Sequence, residues 1–400
     1  MKEILEQKTK EIVEIIMDHN YNSMSLLSGN TGSLFLLSYY AEYTKDDKYL
    51  EVVEEIIVDL YTNINNGNFH LDFSYSNGVT GFLWALNNLL ESGHIDIDFD
   101  SYFSDSIPSI ANYMMEKTEE KDFDFLHGAL GPANFLLDIA KKFPICFAFL
   151  NEFNEKLIAS GIYNPTQDTL HYISPILKGA GEKENVINLS LSHGMAATMH
   201  YIVRCLQHEE LYSEALVAAL KRMINVYRLN QNPIATNASY FPSWIKLENH
   251  QPFTSRLAWC YGDLGIGTEL YRAGETLNDA ELKEYALTIL KHTAQRREVV
   301  KENVADGNFC HGSCGLSEVY RSIYQLTKEQ LFLETADYWF NVTLDLAVHE
   351  DGIAGYKTYL GGKKIYEYNS SLLEGATGIG MVFMATLLQK ELPWKKALML

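Results

Sequence analysis

Positive charge is scarce in this chain: 32 Lys and Arg stand against 52 Asp and Glu, a formal charge of −20 with His neutral. Phosphate binding needs concentrated positive charge, so the balance excludes a nucleic-acid binder. It also disfavours docking on an anionic membrane surface. Cysteine is sparse and odd in number, five in 400 residues, with no C-x-x-C pair. That excludes a secreted disulfide scaffold and leaves reduced thiols free for metal binding or chemistry. Long apolar runs are missing too. The longest, Gly375 to Leu387, is too short and too rich in glycine to span a bilayer. The start, Met1-Lys2-Glu3-Ile4-Leu5-Glu6, mixes charges and lacks the apolar stretch of a signal peptide. A cytoplasmic location is expected.

With 47% hydrophobic and 21% charged residues, the composition is that of a folded protein with a large core. Length alone allows two or three domains at roughly 150 residues each, but an internal repeat argues for one. A Gly-x-x-Gly element followed by an apolar helical pattern begins at Gly29, Gly78, Gly128, Gly194, Gly262, Gly312 and Gly375. The successive spacings are 49, 50, 66, 68, 50 and 63 residues, and the fourth copy is degenerate, with Ala197 in place of the second glycine. Between copies, Tyr49, Val53, Ile56 and Leu60 mark one apolar helix face, as do Leu282, Tyr285, Ala286, Ile289 and Leu290. After the glycines, Phe82-Leu83-Trp84-Ala85-Leu86 and Phe135-Leu136-Leu137 are apolar all round, the pattern of a buried helix. Two glycines three apart share a helix face and let neighbouring backbones approach.

Each unit thus predicts one amphipathic outer helix and one buried inner helix. Both ends of the chain carry the same apolar repeat, whereas an open solenoid needs polar caps. The expectation is an all-α fold, an α/α toroid of seven inner and seven outer helices using residues 1–400 as a single domain. The longer spacings predict short β insertions before residues 193 and 259 and around 351–368, where Gly361-Gly362 between aromatic runs reads as a hairpin turn.

In such a ring the residues just before each glycine face one site. They include Asn77, His127, His193, Tyr261, His311 and Glu374. Cys260, Cys310 and His311 are a candidate zinc site, since two thiolates and an imidazole suit Zn²⁺ and leave a fourth position open. Buried, inert cysteines are the alternative. Cys314 is a further ligand or a small core residue, and Cys146 and Cys205 read as core. His193 is a candidate acid/base group. Asp124 either orients it or caps the next helix. Arg256 and Tyr261 are candidates for stabilising an oxyanion or moving a proton, or else a surface charge and a packing aromatic. His127 repeats the His-Gly pattern without a neighbouring cysteine and is an extra acid/base candidate.

Ser192-His193-Gly194, Trp259-Cys260-Tyr261-Gly262 and Cys310-His311-Gly312, in that order among seven Gly-x-x-Gly repeats, resemble the lanthionine synthetase C (LanC) cyclase family over essentially the whole chain. The resemblance implies an α/α toroid around one zinc ion, with Cys260, Cys310 and His311 as ligands. It implies His193 as acid/base group, Asp124 as its partner, and functional roles for Arg256 and Tyr261. The implied activity is a zinc-dependent lanthipeptide cyclase of bacteriocin biosynthesis, a lanthionine synthetase. A Cys thiol of a dehydrated precursor peptide would add to dehydroalanine or dehydrobutyrine and close a thioether ring. The family often has Pro after the Gly-x of the WCYG motif, where this chain has Leu264. The length leaves no room for a fused dehydratase, so the stand-alone type is implied, working with a separate dehydratase and a transporter, cytoplasmic and peripheral to the membrane through that complex. Four rivals stand beside it. One is a LanC-like enzyme adding glutathione or another external thiol, and another is an α/α-barrel prenyltransferase. The third is a glycoside hydrolase using Asp124, Asp263 or Glu374, and the last a non-catalytic peptide-binding toroid.

Overall fold

The computed structural model describes residues 1–18, 23–67, 72–98, 103–177 and 181–400. Contacts divide the chain into two compact units, Met1–Phe103 with Val299–Leu400, and Ser104–Glu298. Both units are built by the same alternation. Every Gly-x-x-Gly copy leads into a buried helix: α2 (Ser33–Thr44), α4 (Val79–Glu91), α6 (Leu130–Ile139), α8 (Met195–Cys205), α10 (Asp263–Thr276), α12 (Ser313–Thr327) and α14 (Ala376–Leu388). Among the described residues, seven helices with one buried face alternate with them: α1 (Lys2–Met17), α3 (Lys48–Asn65), α5 (Ile107–Glu119), α7 (Ile145–Ser160), α9 (Glu214–Leu229), α11 (Ala280–Thr293) and α13 (Gln330–Asp345). The apolar stripe expected of α3 is the observed one, with Tyr49, Val53, Ile56 and Leu60 buried. No helix among the described residues is long and apolar enough to cross a membrane.

In the first unit α2 lies between α4 and α14, and α14 also packs on α12; in the second, α8 lies between α6 and α10. The β insertions fall where the long spacings place them. Before residue 193 are a hairpin of β1 (Ile162–Asn164) and β2 (Thr169–His171), and the antiparallel pair β3 (Ser174–Leu177) and β4 (Lys183–Asn188). β5 (Trp244–Lys246), before residue 259, pairs with β4, setting Val186 opposite Lys246. The Gly-Gly hairpin is β6 (Thr358–Leu360) with β7 (Ile365–Glu367).

The turns entering the buried helices share one construction, best described by counting back from the first glycine of each copy. Position −6 holds Ser23, Asp72, Asp122, Asn188, Arg256, Asp306 and Asn369. In six copies its side chain accepts the N–H at position −4, with Asp72, Asp122, Asn188, Asp306 and Asn369 at 2.8–3.1 Å and Ser23 at 3.4 Å. In five copies the side chain at −4 (Ser25, Ser74, Asp124, Ser190, Asn308) accepts the N–H at −1. These are local side-chain-to-backbone ties of the kind Asp, Asn and Ser favour over regular structure.

The chain doubles back so tightly that a Cβ on the first glycine would overlap the residue at −6: Asp72 for Gly78, Asp122 for Gly128, Asn188 for Gly194 and Arg256 for Gly262. This differs from the expectation that both glycines lie on one helix face. The first glycine sits before the helix, extended at Gly78, Gly194, Gly312 and Gly375, and its near neighbour is its own incoming strand. The second glycine meets the carbonyl at −3, Leu26 for Gly32, Tyr75 for Gly81, Phe309 for Gly315 and Leu372 for Gly378.

An alanine at Gly315 would drive its methyl into the Phe309 carbonyl, which is backbone and cannot swing away. Gly315→Ala is expected to cost about 1–3 kcal/mol or more, the range for overpacking a close-packed site. Gly362→Ala, in the β6–β7 turn with nothing within 4 Å, is expected to stay within about 0.5 kcal/mol of the parent. Urea denaturation of the two variants measures the difference.

Candidate active site

Most residues with chemistry sit at positions −1 and −2 of the turns, with Asp124 at −4 and Arg256 at −6. Neighbouring turns are laced side by side through position −2. In the first unit the Cys310 N–H donates to the Leu373 carbonyl and the Leu373 N–H to the Leu27 carbonyl, both at 2.9 Å. In the second, the Ser192 N–H and hydroxyl both donate to the Cys260 carbonyl, at 3.2 and 3.0 Å.

In the second unit His193 and Asp124 form an ion pair. Asp124 Oδ2 lies 2.6 Å from His193 Nδ1, while Oδ1 accepts the N–H groups of Leu126 and His127 at 2.7 and 2.9 Å. One oxygen thus faces His193, while the other closes the turn and does not cap the helix, whose N-cap is Ala129 with no side-chain hydrogen bond. Asp122 is the turn residue at −6 and caps Asp124 itself. Burial works to raise the Asp124 carboxyl, but the hydrogen bond and charge of His193, with the His127 N–H, outweigh it and hold it below its ordinary value. Burial likewise works to lower His193, and the Asp124 hydrogen bond and charge, then Cys260 and Asp122, outweigh it, so the imidazole is raised. The Tyr261 ring lies 6.1 Å from that of His193. Burial keeps its phenol raised, opposed by hydrogen bonding to Asn188. His127 is exposed and stacks on His193 at 6.4 Å.

Cys260 is buried in the same unit, at −2 of the fifth turn. Arg256 stands at −6 of that turn and is exposed. Its guanidinium offers no acceptor, and here the first glycine, Gly262, takes φ +97°, where a Cβ would run into the Arg256 carbonyl. Asp263 is not a free carboxylate of the kind a glycosidase needs: it is buried, and its oxygens accept the N–H groups of Tyr240 and Phe241 at 2.7 and 2.9 Å. Burial pushes its pKa up to about 6, against those same bonds.

In the first unit Cys310, His311 and Glu374 come together, their candidate ligand atoms all within 4.8 Å of one another. The His311 and Gly312 N–H groups are held by Asn308 Oδ1 at 3.1 and 3.0 Å, so the adjacent Cys and His are presented by a turn rather than a helix. The sequence places Glu374 at position −1 but does not mark it as a ligand candidate. No disulfide joins the five cysteines. Burial pushes the thiols of Cys146 and Cys205 up to about 12 and Cys314 well above its ordinary value. Cys314 points its sulfur at the Gly378 carbonyl, 3.6 Å away, which is the core reading of that residue. Asp306 belongs to no ligand or catalytic motif of the sequence. Besides its own turn, it accepts the Tyr359 N–H at 2.7 Å and so anchors β6 beside Glu374. Its signal was the acidic or amide residue recurring six before each glycine.

Residues 20–399 match the family model described as lanthionine synthetase C-like protein, and the chain belongs to that family. The nisin biosynthesis protein NisC of Lactococcus lactis subsp. lactis is 21% identical over 369 residues, covering 83% of this chain and 81% of that protein. A solved structure of a nisin cyclase matches with a TM-score of 0.73 and 18% identity over 98% of this chain and 97% of that one. This likeness places the fold in the expected class, the α/α toroid.

His193, with a raised folded pKa, contributes its share of stability fully below its ordinary 6.5 and loses it as pH rises through the folded value. Asp124, with a lowered one, contributes above its ordinary 3.8 and loses it as pH falls through the folded value. The pair is at full strength between those ordinary values. In Asp124→Asn the main force raising His193 is removed, and its imidazole should titrate at or below 6.5 rather than above it. Imidazole NMR across the pH range reads this directly.

Proposed function

We propose that this protein is a zinc-dependent lanthipeptide cyclase, acting on a dehydrated precursor peptide supplied by a separate dehydratase. The observation that carries the reading is the convergence of Cys310 and His311 on one turn, with their ligand atoms within 4.8 Å of each other and of Glu374. A thiol, an imidazole and a carboxylate are the donor types that hold Zn²⁺. The donor set therefore fits the ion. The Trp259-Cys260-Tyr261-Gly262 motif assigns Cys260 as the further thiolate ligand. Zinc bound there supplies a lower pKa for a substrate thiol, making thiolate available near neutral pH.

The peptide's thiolate adds to the β-carbon of a dehydroalanine or dehydrobutyrine in the same peptide. The C–S bond forms, the alkene π pair moves into an enolate, and Cα then takes a proton. His193 is the proton donor. Asp124 holds its Nδ1 at 2.6 Å, fixing the ring and leaving Nε2 for the substrate. The Asp124 hydrogen bond and charge raise the imidazole above its ordinary value, the direction that suits a general acid. Tyr261, whose phenol stays protonated, is the second donor. Arg256, exposed, is the cation offered to the enolate oxygen. Burying reacting groups in register adds to the rate through positioning.

The test separates metal from proton transfer. Cys310→Ala is expected to lose zinc by elemental analysis. His193→Ala is expected to keep zinc yet lose roughly 10²–10⁴ in cyclisation rate, the usual worth of a general acid. Full activity in metal-free Cys310→Ala protein would overturn the proposal, and preferential addition of glutathione over the internal thiol would assign the activity to external thiols instead.

A further inference from the structure

The β6–β7 hairpin is a two-stranded sheet with no third strand among the described residues. A lone hairpin is marginal in water, and its outer edges carry unpaired N–H and C=O groups. Its two edges are not alike. Thr358, Tyr359 and Leu360 stand opposite Glu367, Tyr366 and Ile365. Pairs in an antiparallel ladder alternate between those that exchange hydrogen bonds and those that do not. Tyr359 spends its N–H on Asp306 Oδ2, outside the hairpin, at 2.7 Å. The Tyr359–Tyr366 pair is therefore a non-bonded one, and the Tyr366 N–H and carbonyl point the other way, to the outer edge of β7. All three β7 residues are exposed. The strand is nevertheless held in place. The Tyr366 ring lies 5.1 Å from that of Tyr359 and 4.6 Å from that of His349, and its hydroxyl donates to the Ala305 carbonyl at 3.0 Å. From β6, Thr358 Oγ1 donates to the Glu374 carbonyl, which ties the hairpin to the turn beside Cys310 and His311.

We infer that the outer edge of β7 is a docking strand for the precursor peptide, which adds there as a third strand with its main chain paired to Tyr366. The inference rests on the cyclase reading above and deepens it by locating where the substrate is held. Strand addition takes its affinity from main-chain hydrogen bonds and its specificity from alternate side chains. A dehydrated residue keeps its N–H and C=O, so dehydration leaves this handle intact. The edge is already ordered by the Tyr366 contacts, so docking spends little on ordering the protein. It is also close to the chemistry. Neighbouring strands lie about 4.8 Å apart, so a peptide on β7 lies roughly 10 Å from β6, and at about 3.3 Å per residue some three further residues span that distance. Side chains at the edge define what fits. Ile365 and Tyr368 are 44% and 48% exposed and offer apolar surface to cover. At the hairpin tip Lys363 is engaged with Glu367 at 3.5 Å, while Lys364 makes no ion pair among the described residues. That cation is a local exception to the chain's negative charge and complements a carboxylate. The occupant is thus an extended stretch that combines apolar and acidic side chains.

The probe is a synthetic peptide alternating valine and aspartate, capped at both ends, with the same peptide N-methylated throughout as its control. Hydrogen exchange of the full-length protein, read by mass spectrometry, is expected to slow over residues 360–368 with the first peptide and not with the second. Two variants isolate the main-chain bond. Tyr366→Ala removes the ring contacts and keeps the edge N–H, whereas Tyr366→Pro removes both, and proline is tolerated where the N–H faces outward on an edge strand. Thermal melts show that each is folded. In fluorescence anisotropy the labelled peptide is expected to bind Tyr366→Pro roughly 3–10-fold more weakly than Tyr366→Ala, the worth of one hydrogen bond. Lys364→Glu is expected to weaken binding most at low salt. Equal affinities for the two Tyr366 variants, no slowing at millimolar peptide, or slowing that follows protein concentration instead of peptide, as pairing between copies would give, each overturn the inference. The cyclase reading fails separately. A KM for cyclisation that is the same in Tyr366→Pro and Tyr366→Ala would overturn the docking strand and leave the cyclase. Peptide-dependent slowing without thioether formation by the zinc-loaded parent would overturn the cyclase and leave a peptide-binding edge.

Discussion

The close approach of each turn's first glycine to the chain four to six residues earlier is the constraint on which the rest depends. A chain that reverses this tightly cannot tolerate a Cβ at that point, as the overlaps at Gly78, Gly128, Gly194 and Gly262 make plain. Once the glycine allows the reversal, short polar side chains at −6 and −4 tie it down by accepting the turn's own N–H groups. The buried helix can then start without carrying unsatisfied amides into the core, where each would be costly.

The same ties explain where the chemistry sits. With the backbone fixed by −6 and −4, the side chains at −2 and −1 vary among copies. They are Ser and Asn in the second, Ser and His in the fourth, Cys and Tyr in the fifth, and Cys and His in the sixth. Asp124 shows one residue serving both ends. One oxygen closes its own turn, and the other reaches His193 of the next copy. A group that is already immobilised by backbone bonds orients its partner at little further entropic cost. Asp306 does the equivalent for the hairpin, closing the sixth turn and gripping Tyr359.

The helical alternation was legible because glycine spacing and apolar periodicity are properties of the sequence itself; Tyr49, Val53, Ile56 and Leu60 appear on one face in both. The places of the β insertions followed from excess spacing. What escaped was the interior of the turn. Reading the glycines as a helix–helix contact hid the −6 residue, since an Asp or Asn in a loop looks like ordinary loop polarity until the seven copies are aligned on the glycine. Glu374 escaped for a different reason. A lone Glu after Leu372-Leu373 carries no ligand spacing, and its nearness to Cys310 comes from the contact between turns 63 residues apart. The exposure of Arg256 is the surface-charge alternative that the sequence left open, because a position four before a cysteine gives no direction in a turn.

The measurement that tests the account most directly is mass spectrometry of a dehydrated precursor peptide co-expressed with this protein, with free thiols alkylated afterwards. Thioether closure changes no mass but removes the thiol. The account predicts a peptide that takes up fewer alkyl groups than it has cysteines and resists fragmentation within each ring. Full alkylation of every cysteine, in the presence of zinc-loaded protein, would contradict it.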